Sequence, residues 1–370
     1  MNPVRAHIDL TALRANLARL RELASSSRIT AIVKANAYGH GAVVIARALE
    51  PQVDSFAVAR LGEAFELRDA GIRLPIVLLE GASCESEWAL ARDAAFETVV
   101  HRTGQIDWIE RAPPQRGAVV WLKINTGMNR LGFRDTDVIA AWRRLRAAVG
   151  SEVELRVLTH LACADEPSHP MTGQQLARFE LLRQQIASID GGRVPVASVG
   201  NSAGTLLESG SRSDWVRPGL ALYGVSPLVA QQGAALGMRP VMRLEAQIIA
   251  LQSLEAGETV GYGAAWRAVK RSHIAIVAAG YADGIPRALP SGTLLPIRSV
   301  SGALREAPLA GRVSMDMLAL DVTDASDVDV GDVVELWGGA ISVEALAAAA
   351  GTLAYELLCR VPQRVPRIYG

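Results

Sequence analysis

The sequence has few cysteines, no long apolar run and no excess of charge of either sign. The three cysteines, Cys84, Cys163 and Cys359, are odd in number and far apart, which argues against a disulfide framework. No run of about 18 apolar residues occurs, so we expect no transmembrane helix. The 38 basic and 38 acidic residues balance, which excludes partners held by charge alone, such as nucleic acid or a membrane surface.

The first ten residues, MNPVRAHIDL, have neither the apolar core nor the cleavage site of a signal peptide. Together with the scarcity of cysteine, this predicts a cytoplasmic protein. The chain has 370 residues, of which 50% are apolar, so it is long enough for one large domain or two moderate ones.

Short β-like runs alternate with amphipathic stretches over residues 29–224. The runs are TAIVKAN, SFAVA, PIVLLE, ETVVH, VVWLKIN, VELRVLTHL, VASVGN and WVRPGLALYG. Strands separated by helices form parallel sheets, and eight of them in about 200 residues fit a (β/α)8 TIM-like barrel. An open doubly wound sheet would have a glycine-rich first turn, and KANAYGHG does not match that pattern.

The pattern changes after Tyr223, where strand-like runs follow one another across glycine-rich turns. Examples are HIAIVAAGYADG, LALDVTD and GDVVELWGG, which predict a mostly antiparallel β domain. The run SVEALAAAAG predicts a helix with Ser342 as its N-cap. We therefore predict an α/β chain with a barrel over residues 11–238 and a β-rich domain over 239–370.

Polar residues cluster at the predicted carboxyl ends of the barrel strands, where the active sites of such barrels form. They are Lys34 after the first strand, Lys123, Asn125 and Arg130 after the fifth, His160 after the sixth, Asn201 and Ser202 after the seventh, and Arg217 and Gly219 in the eighth.

Two of these features predict a cofactor. The loops GNSAG and RPGLALYG supply a hydroxyl and backbone N–H groups, which hold a phosphate in such barrels. Burial disfavours the charged form of a lysine, which leaves the amine free to act as a nucleophile. A buried Lys34 beside a phosphate site therefore predicts pyridoxal phosphate, bound to the lysine as a Schiff base.

Arg217 is the candidate partner of the pyridine nitrogen. Because arginine keeps its proton, that nitrogen would stay unprotonated and the carbanion short-lived, which suits proton exchange at Cα.

Several long motifs carry a resemblance to a known family. The stretches AIVKANAYGHG, KINTGMNRLGF, GNSAG, VRPGLALYG, VGYGAAW, GRVSMDM and YELLCRVPQRVPRIYG resemble those of bacterial alanine racemases, of proteobacterial type. The resemblance runs nearly from end to end. It implies two-base interconversion of L- and D-alanine on pyridoxal phosphate, either supplying D-alanine for peptidoglycan or feeding alanine catabolism.

The resemblance also implies how the reaction is shared between subunits. Lys34 would bind the cofactor and act as the base on the D face. Tyr262 would be the base on the L face, presented by the other subunit of a homodimer. Residues 1–10 would pair with the C-terminal β domain. No metal is implied.

Further roles follow from the same resemblance. The cofactor would be held by Tyr38, Asn201, Ser202, Tyr355 and the backbone of Gly219 and Leu220, with Arg217 at the pyridine nitrogen and His160 bonded behind it. Arg130 and the backbone of Met315 would receive the substrate carboxylate, and Lys123 is a candidate for carbamylation beside Arg130. Asn125 stands where many relatives have aspartate, which alters the charge near Arg130.

The same residues allow other interpretations from the sequence alone. Taken alone, Lys34 could extend its charged end to solvent, and Tyr262 could be a packed aromatic. His160, Cys163, Asp165 and His169 invite a zinc interpretation, but one cysteine and chance spacing make it weak. A decarboxylase would favour an acidic group where Arg217 stands. A cofactor carrier without catalysis would not need the domain that bears Tyr262.

Overall fold

The computed structural model describes residues 2–206, 213–229, 231–300, 302–325 and 327–370. Eight parallel strands close into a barrel in chain order, each hydrogen-bonded to its neighbours, with the last strand pairing to the first. These strands are β2 (Arg28–Ile32), β3 (Ser55–Val58), β4 (Ile76–Leu78), β5 (Glu97–Val100), β6 (Val119–Lys123), β7 (Glu154–Leu158), β8 (Ala197–Ser198) and β9 (Trp215–Val216).

Helices connect the barrel strands and cover them. They are α1 (Leu10–Leu23), α2 (Lys34–Tyr38), α3 (Ala42–Leu49), α4 (Leu61–Asp69), α5 (Glu85–Asp93), α6 (Thr103–Arg111), α7 (Asp135–Val149), α8 (Pro170–Ile189) and α9 (Ser202–Leu206). The strands are buried on both faces, as their continuous apolar runs predicted. The glycine pair after α8 is left-handed, with φ of 69° and 81°, and ends that helix.

The remaining strands form a β-rich region. They are β1 (Val4–Ile8), β10 (Met242–Leu254), β11 (Thr259–Val260), β12 (Trp266–Arg267), β13 (Ser272–Val277), β14 (Leu294–Arg298), β15 (Leu304–Pro308), β16 (Leu318–Asp321), β17 (Val333–Trp337) and β18 (Arg367–Tyr369), with the helices α10 (Val343–Ala349) and α11 (Ala354–Arg360). Most pairs are antiparallel, and β1 with β18 is parallel.

The long strand β10 organises this region, because it pairs with β1, β13 and β17. The N-terminal strand therefore belongs to the same sheet as the C-terminal strands. Ser342 caps α10 by accepting the N–H of Ala345 at 3.1 Å, as predicted. The predicted architecture, a TIM-like barrel followed by a mostly antiparallel β region, is confirmed. The predicted domain boundaries, with the barrel at residues 11–238 and the β-rich domain at 239–370, stay predictions.

Candidate active site

Lys34 starts the short segment α2 (Lys34–Tyr38), which is a left-handed turn and not a regular α-helix. Strand β2 ends at Ile32, and the residues Ala35–Tyr38 have φ between 51° and 53°, which is the left-handed region. The left-handed conformation costs about 1–2 kcal/mol for each residue that has a Cβ, so other contacts must stabilise the turn. Asn36 Oδ1 accepts the N–H of Ala42 at 2.8 Å, and Glu63 Oε1 accepts the N–H of Ala35 at 2.7 Å.

A cavity of about 600 Å³ opens where the barrel strands end. Eleven of the thirteen predicted site residues line it: Lys34, Tyr38, Lys123, Arg130, His160, Asn201, Ser202, Arg217, Gly219, Leu220 and Tyr355. An outer cavity of about 760 Å³ shares Arg130, His160, Asn201, Leu220 and Tyr355 with it, so the two adjoin. The carboxyl ends of parallel strands thus bring these residues together, as expected for a barrel.

One end of the cavity suits a phosphate. Ser202 Oγ accepts the N–H of Gly219 at 2.8 Å and the N–H of Ala221 at 3.3 Å. A Cβ added to Gly219 would lie 2.5 Å from the Tyr38 hydroxyl, so only glycine permits this approach. Within the described part of the chain, the hydroxyls of Tyr38 and Tyr355 have no hydrogen-bond partner.

Burial keeps both hydroxyls protonated. It raises the pKa of Tyr38 well above the usual range, and it raises the pKa of Tyr355 to about 12. Both side chains are therefore hydrogen-bond donors at neutral pH. Two donors without a protein acceptor, beside a serine and backbone N–H groups, match the oxygens of a phosphate.

Arg217 is buried beneath the cavity. It donates to Ser198 Oγ at 2.5 Å, to the carbonyl of Thr159 at 2.6 Å and to the carbonyl of Val199 at 3.3 Å. Burial lowers its pKa to about 10, so it remains charged at neutral pH. A buried cation at this position favours a neutral or anionic group in the cavity.

The expected hydrogen bond between His160 and Arg217 is not present in the described structure. The Arg217 guanidinium donates to Ser198 and backbone carbonyls instead, while His160 Nε2 lies 3.5 Å from Asn201 Nδ2. Burial, then the positive charge of Arg217, holds the pKa of His160 well below its ordinary value. His160 is therefore neutral. Its expected place behind Arg217 at the pyridine nitrogen stays a prediction.

Positive charge is concentrated around Lys123. The chain has three lysines, and two of them, Lys34 and Lys123, line this cavity. Burial lowers the pKa of Lys123 to about 8, with further lowering by Arg217, Arg130 and Lys34. A site lined by two arginines and two lysines is suited to anionic ligands. A lysine with the pKa of Lys123 is partly neutral at physiological pH.

Arg130 lies at the mouth of the cavity on a loop held by Asn125. It is exposed, and among the described residues its guanidinium has no acidic partner. Asn125 Oδ1 accepts the N–H groups of Gly127 and Asn129, each at 3.1 Å, which closes the loop that carries Arg130. An unpaired arginine on an anchored loop is suited to bind a carboxylate.

Two predicted residues lie away from the cavity of their own chain. Tyr262 and Met315 belong to the β-rich region, and their side chains are 73% and 53% exposed. Neither lines the cavity that contains Lys34. Among the described residues, none forms a hydrogen bond or a ring contact with Tyr262, and its large exposed fraction allows it to meet another molecule.

Sequence reasoning missed the residues that support the site from behind. Tyr223 donates its hydroxyl to the carbonyl of Ile32 at 2.9 Å, and its ring lies 5.0 Å from that of Tyr38 and 4.4 Å from that of His40. Glu80 lines the cavity and opposes the lowering of the Lys123 pKa. Tyr223 lay within a quoted motif, but no local pattern indicated its contacts.

Two other kinds of site, a metal cluster and a membrane-spanning helix, are absent from the described residues. In the described ranges, no group of three or more His, Cys, Asp or Glu side chains is placed to hold a metal ion. In the same ranges, no helix is both long and apolar enough to cross a membrane.

Comparisons with known proteins agree with this geometry. The family model "Alanine racemase, N-terminal domain" matches residues 8–227, and "Alanine racemase, C-terminal domain" matches residues 241–369. The alanine racemase of Shewanella loihica is 45% identical over 98% of this chain and 97% of its own. The biosynthetic alanine racemase of Pseudomonas aeruginosa is 45% identical, with all of both chains covered.

Solved structures give the same result. The crystal structure of the biosynthetic alanine racemase from Pseudomonas aeruginosa superposes with a TM-score of 0.90 at 44% identity, covering all of both chains. The alanine racemase from Acinetobacter baumannii superposes with a TM-score of 0.89 at 39% identity, again over all of both chains. The resemblance seen in the sequence motifs is confirmed, and the chain belongs to the alanine racemase family, as an isomerase that interconverts L- and D-alanine.

Proposed function

We propose that this chain racemises alanine with pyridoxal phosphate held by Lys34, in an active site completed by a second copy of the chain. The family depends on that cofactor. The observation that carries the proposal is that Lys34 lines one cavity together with the phosphate cradle, which consists of Ser202, Gly219, Tyr38 and Tyr355.

The residues present fit the cofactor. Lys34 supplies the amine, the unpartnered hydroxyls of Tyr38 and Tyr355 supply donors for a phosphate, and Arg217 supplies a buried cation that keeps its proton. When bound, pyridoxal phosphate makes the Cα proton of an attached amino acid acidic by accepting its electron pair. The proposed partner of the ring nitrogen is Arg217. An arginine there restrains that electron withdrawal, which favours prompt return of the proton.

The proton is moved by two bases on opposite faces of Cα. Lys34 takes or returns it on the D face, and Tyr262 does so on the L face. Because Tyr262 is 73% exposed and lies outside its own cavity, we assign it to the cavity of the partner subunit. The active form is therefore a homodimer with two shared sites.

The substrate carboxylate is assigned to Arg130 and to the backbone of Met315. Arg130 is exposed at the cavity mouth with no acidic partner among the described residues, and Met315 is exposed on the region that bears Tyr262. Lys123 is the candidate for carbamylation, which would place a fixed negative charge beside Arg130. His160 and Asn201 remain proposed cofactor neighbours, as does the backbone of Leu220. The cytoplasmic location and the choice between D-alanine supply and alanine catabolism stay predictions.

The decisive experiment follows L-alanine in D2O by chiral chromatography with mass detection. We expect D-alanine that carries deuterium at Cα, because the proton lost on one face is replaced from solvent on the other. Deuterium without inversion would contradict the two-base assignment. An amine or a keto acid as the product would contradict racemisation.

Lys34→Ala tests the assignment of the cofactor lysine. We expect the variant to lose both the visible absorbance of the bound cofactor and the racemase activity. The matched control is Lys270→Ala, since Lys270 is an exposed lysine paired with Asp324 at 3.2 Å and lies outside the cavity. Full activity in Lys34→Ala, or equal loss in both variants, would contradict the proposal.

A further inference from the structure

The left-handed turn that begins at Lys34 ends against the C-terminal strand. Arg367 Nε donates to the carbonyl of Gly39 at 3.0 Å, and the Tyr369 hydroxyl donates to the carbonyl of His40 at 3.2 Å. These two carbonyls directly follow the residues with φ near 50°. The C-terminus of the β-rich region therefore holds the exit of a turn whose entrance carries the proposed cofactor lysine.

Arg367 donates hydrogen bonds to four backbone carbonyls. Besides Gly39, its guanidinium donates to the carbonyls of Pro362 at 2.8 Å, Val365 at 3.0 Å and Val361 at 2.8 Å. One planar group with several fixed donors thus joins the turn to the segment that follows α11. A lysine has a single ammonium group and cannot reproduce this fork.

The packing at the turn leaves no free space. A Cβ on Gly39 would lie 2.1 Å from the carbonyl oxygen of Leu358, and a Cβ on Gly41 would lie 2.1 Å from the Tyr369 hydroxyl. Gly39 and Gly41 also have φ of 80° and 98°, which glycine adopts readily. The backbone of the turn and the C-terminal segment are in direct contact, so displacement of one moves the other.

His40 fixes the turn from within. Its Nδ1 lies 2.9 Å from the carbonyl oxygens of both Ala37 and Tyr38, so Nδ1 carries the hydrogen and donates to left-handed residues. Burial lowers the pKa of His40 to about 4, and the ring stays neutral. Its ring packs at 4.4 Å from that of Tyr223, whose hydroxyl donates to Ile32 just before Lys34.

We propose that Arg367 and Tyr369 are positioning residues for racemisation. They fix the exit of the turn, and through His40 they fix the backbone between Lys34 and Tyr38. The distance between the cofactor amine and the phosphate cradle is then set by the β-rich region of the same chain. This inference rests on the proposed role of Lys34.

The test uses Arg367→Lys and Tyr369→Phe as holoenzymes. The control is Arg360→Lys, which alters an exposed arginine of the same C-terminal segment, paired with Glu356 and not with the turn. Hydrogen exchange measures the amides of Gly39, His40 and Gly41, which close the turn by donating to Ala35, Ala37 and Asn36. Borohydride reduction and mass spectrometry measure the fraction of Lys34 joined to pyridoxal phosphate at limiting cofactor.

We expect faster exchange at these three amides, about tenfold in Arg367→Lys and about threefold in Tyr369→Phe, because the number of lost hydrogen bonds differs. The dissociation constant for pyridoxal phosphate should rise by similar factors in the two variants. Their melting temperatures, and the hydrogen-exchange rates of the barrel strands β5 and β6, should stay close to the values for Arg360→Lys.

Two results would overturn the inference. One is that both variants show the same amide exchange rates and the same Lys34 labelling as the wild-type protein. The other is that amide exchange or Lys34 labelling changes in Tyr369→Phe only when the whole protein unfolds, which would indicate a general structural role. The wild-type protein separates this inference from the proposed function: without labelled Lys34 in the wild type, the cofactor assignment itself fails and the inference fails with it.

Discussion

Tyr38 and Tyr355 face each other with ring centroids 6.0 Å apart and planes inclined at 45°. Tyr38 ends the left-handed turn after the first barrel strand, and Tyr355 lies on α11 in the β-rich region. Both line the cavity of Lys34. The proposed phosphate cradle is therefore assembled from both parts of a single chain.

Removing either hydroxyl tests this cradle. A hydrogen bond to a charged group contributes about 1.5–3 kcal/mol, so Tyr38→Phe and Tyr355→Phe should each weaken pyridoxal phosphate binding by about tenfold or more. The ring packing is kept, so the melting temperature of the protein without cofactor should change little. Fluorescence titration with the cofactor measures the dissociation constant, and unchanged affinity in both variants would remove these hydroxyls from the site.

The sequence predicted the barrel and most of the site because both depend on local patterns. Each buried apolar run became a strand, and barrel geometry then placed Lys34, Lys123 and Arg217 at one edge. The antiparallel character of the second region followed from the same reasoning.

The sequence did not predict what depends on contacts between distant residues. Ala35 and Ala37 have no preference for φ near 53° that would overcome its cost, so the left-handed turn is imposed by the surrounding packing. Arg367 lies in the edge strand β18 and donates to four carbonyls, and no local pattern around it indicates these contacts. The strands β14 and β15 also lacked a clear signal.

The pKa of Lys123 leads to a prediction about carbon dioxide. Carbamate forms on the neutral amine, and burial lowers the pKa of Lys123 from 10.5 to about 8. At a pH between these two pKa values, the amine of Lys123 is mostly neutral, whereas the amine of an exposed lysine is still mostly protonated. At a constant concentration of dissolved carbon dioxide, carbamate formation should therefore rise as the pH passes through about 8.

Carbon-13 NMR with labelled carbon dioxide measures this uptake. The signal should be lost in Lys123→Met and kept in Lys270→Met, because Lys270 is exposed and lies outside the cavity. A signal that survives in Lys123→Met would assign the carbamate to another amine. The absence of any signal at pH 9 in the wild type would exclude carbamylation of Lys123.

Asn125 allows a matched pair of variants. Its Oδ1 accepts two backbone N–H groups of the loop that carries Arg130. Asn125→Asp keeps both acceptors, so we expect a KM for alanine within about threefold of wild type. Asn125→Leu removes them at a cost of about 1–3 kcal/mol per unsatisfied group, and misplacement of Arg130 should raise KM by about tenfold or more with a smaller change in kcat. Steady-state kinetics on both enantiomers measures this, and equal KM in the two variants would contradict the role of Asn125.

The sharing of sites between subunits can be tested by combining two inactive chains. Under the proposed assignment, Lys34→Ala should inactivate the cavity of its own chain, whereas Tyr262→Ala should inactivate the cavity of its partner. In a heterodimer both defects then fall on one cavity, and the other cavity is intact. Random pairing of co-expressed chains makes about half of the dimers mixed, so about a quarter of the wild-type activity should return.

The control for this experiment pairs two changes within one cavity. Lys34→Ala and Arg217→Gln both alter the cavity of the chain that carries them. A heterodimer of these two chains has one defect in each cavity, and no activity should return. Recovery with Tyr262→Ala but not with Arg217→Gln places Tyr262 in the cavity of the partner subunit. If isolated Lys34→Ala and Tyr262→Ala heterodimers stay inactive, Tyr262 does not act across the interface, and the exposed phenol needs another role.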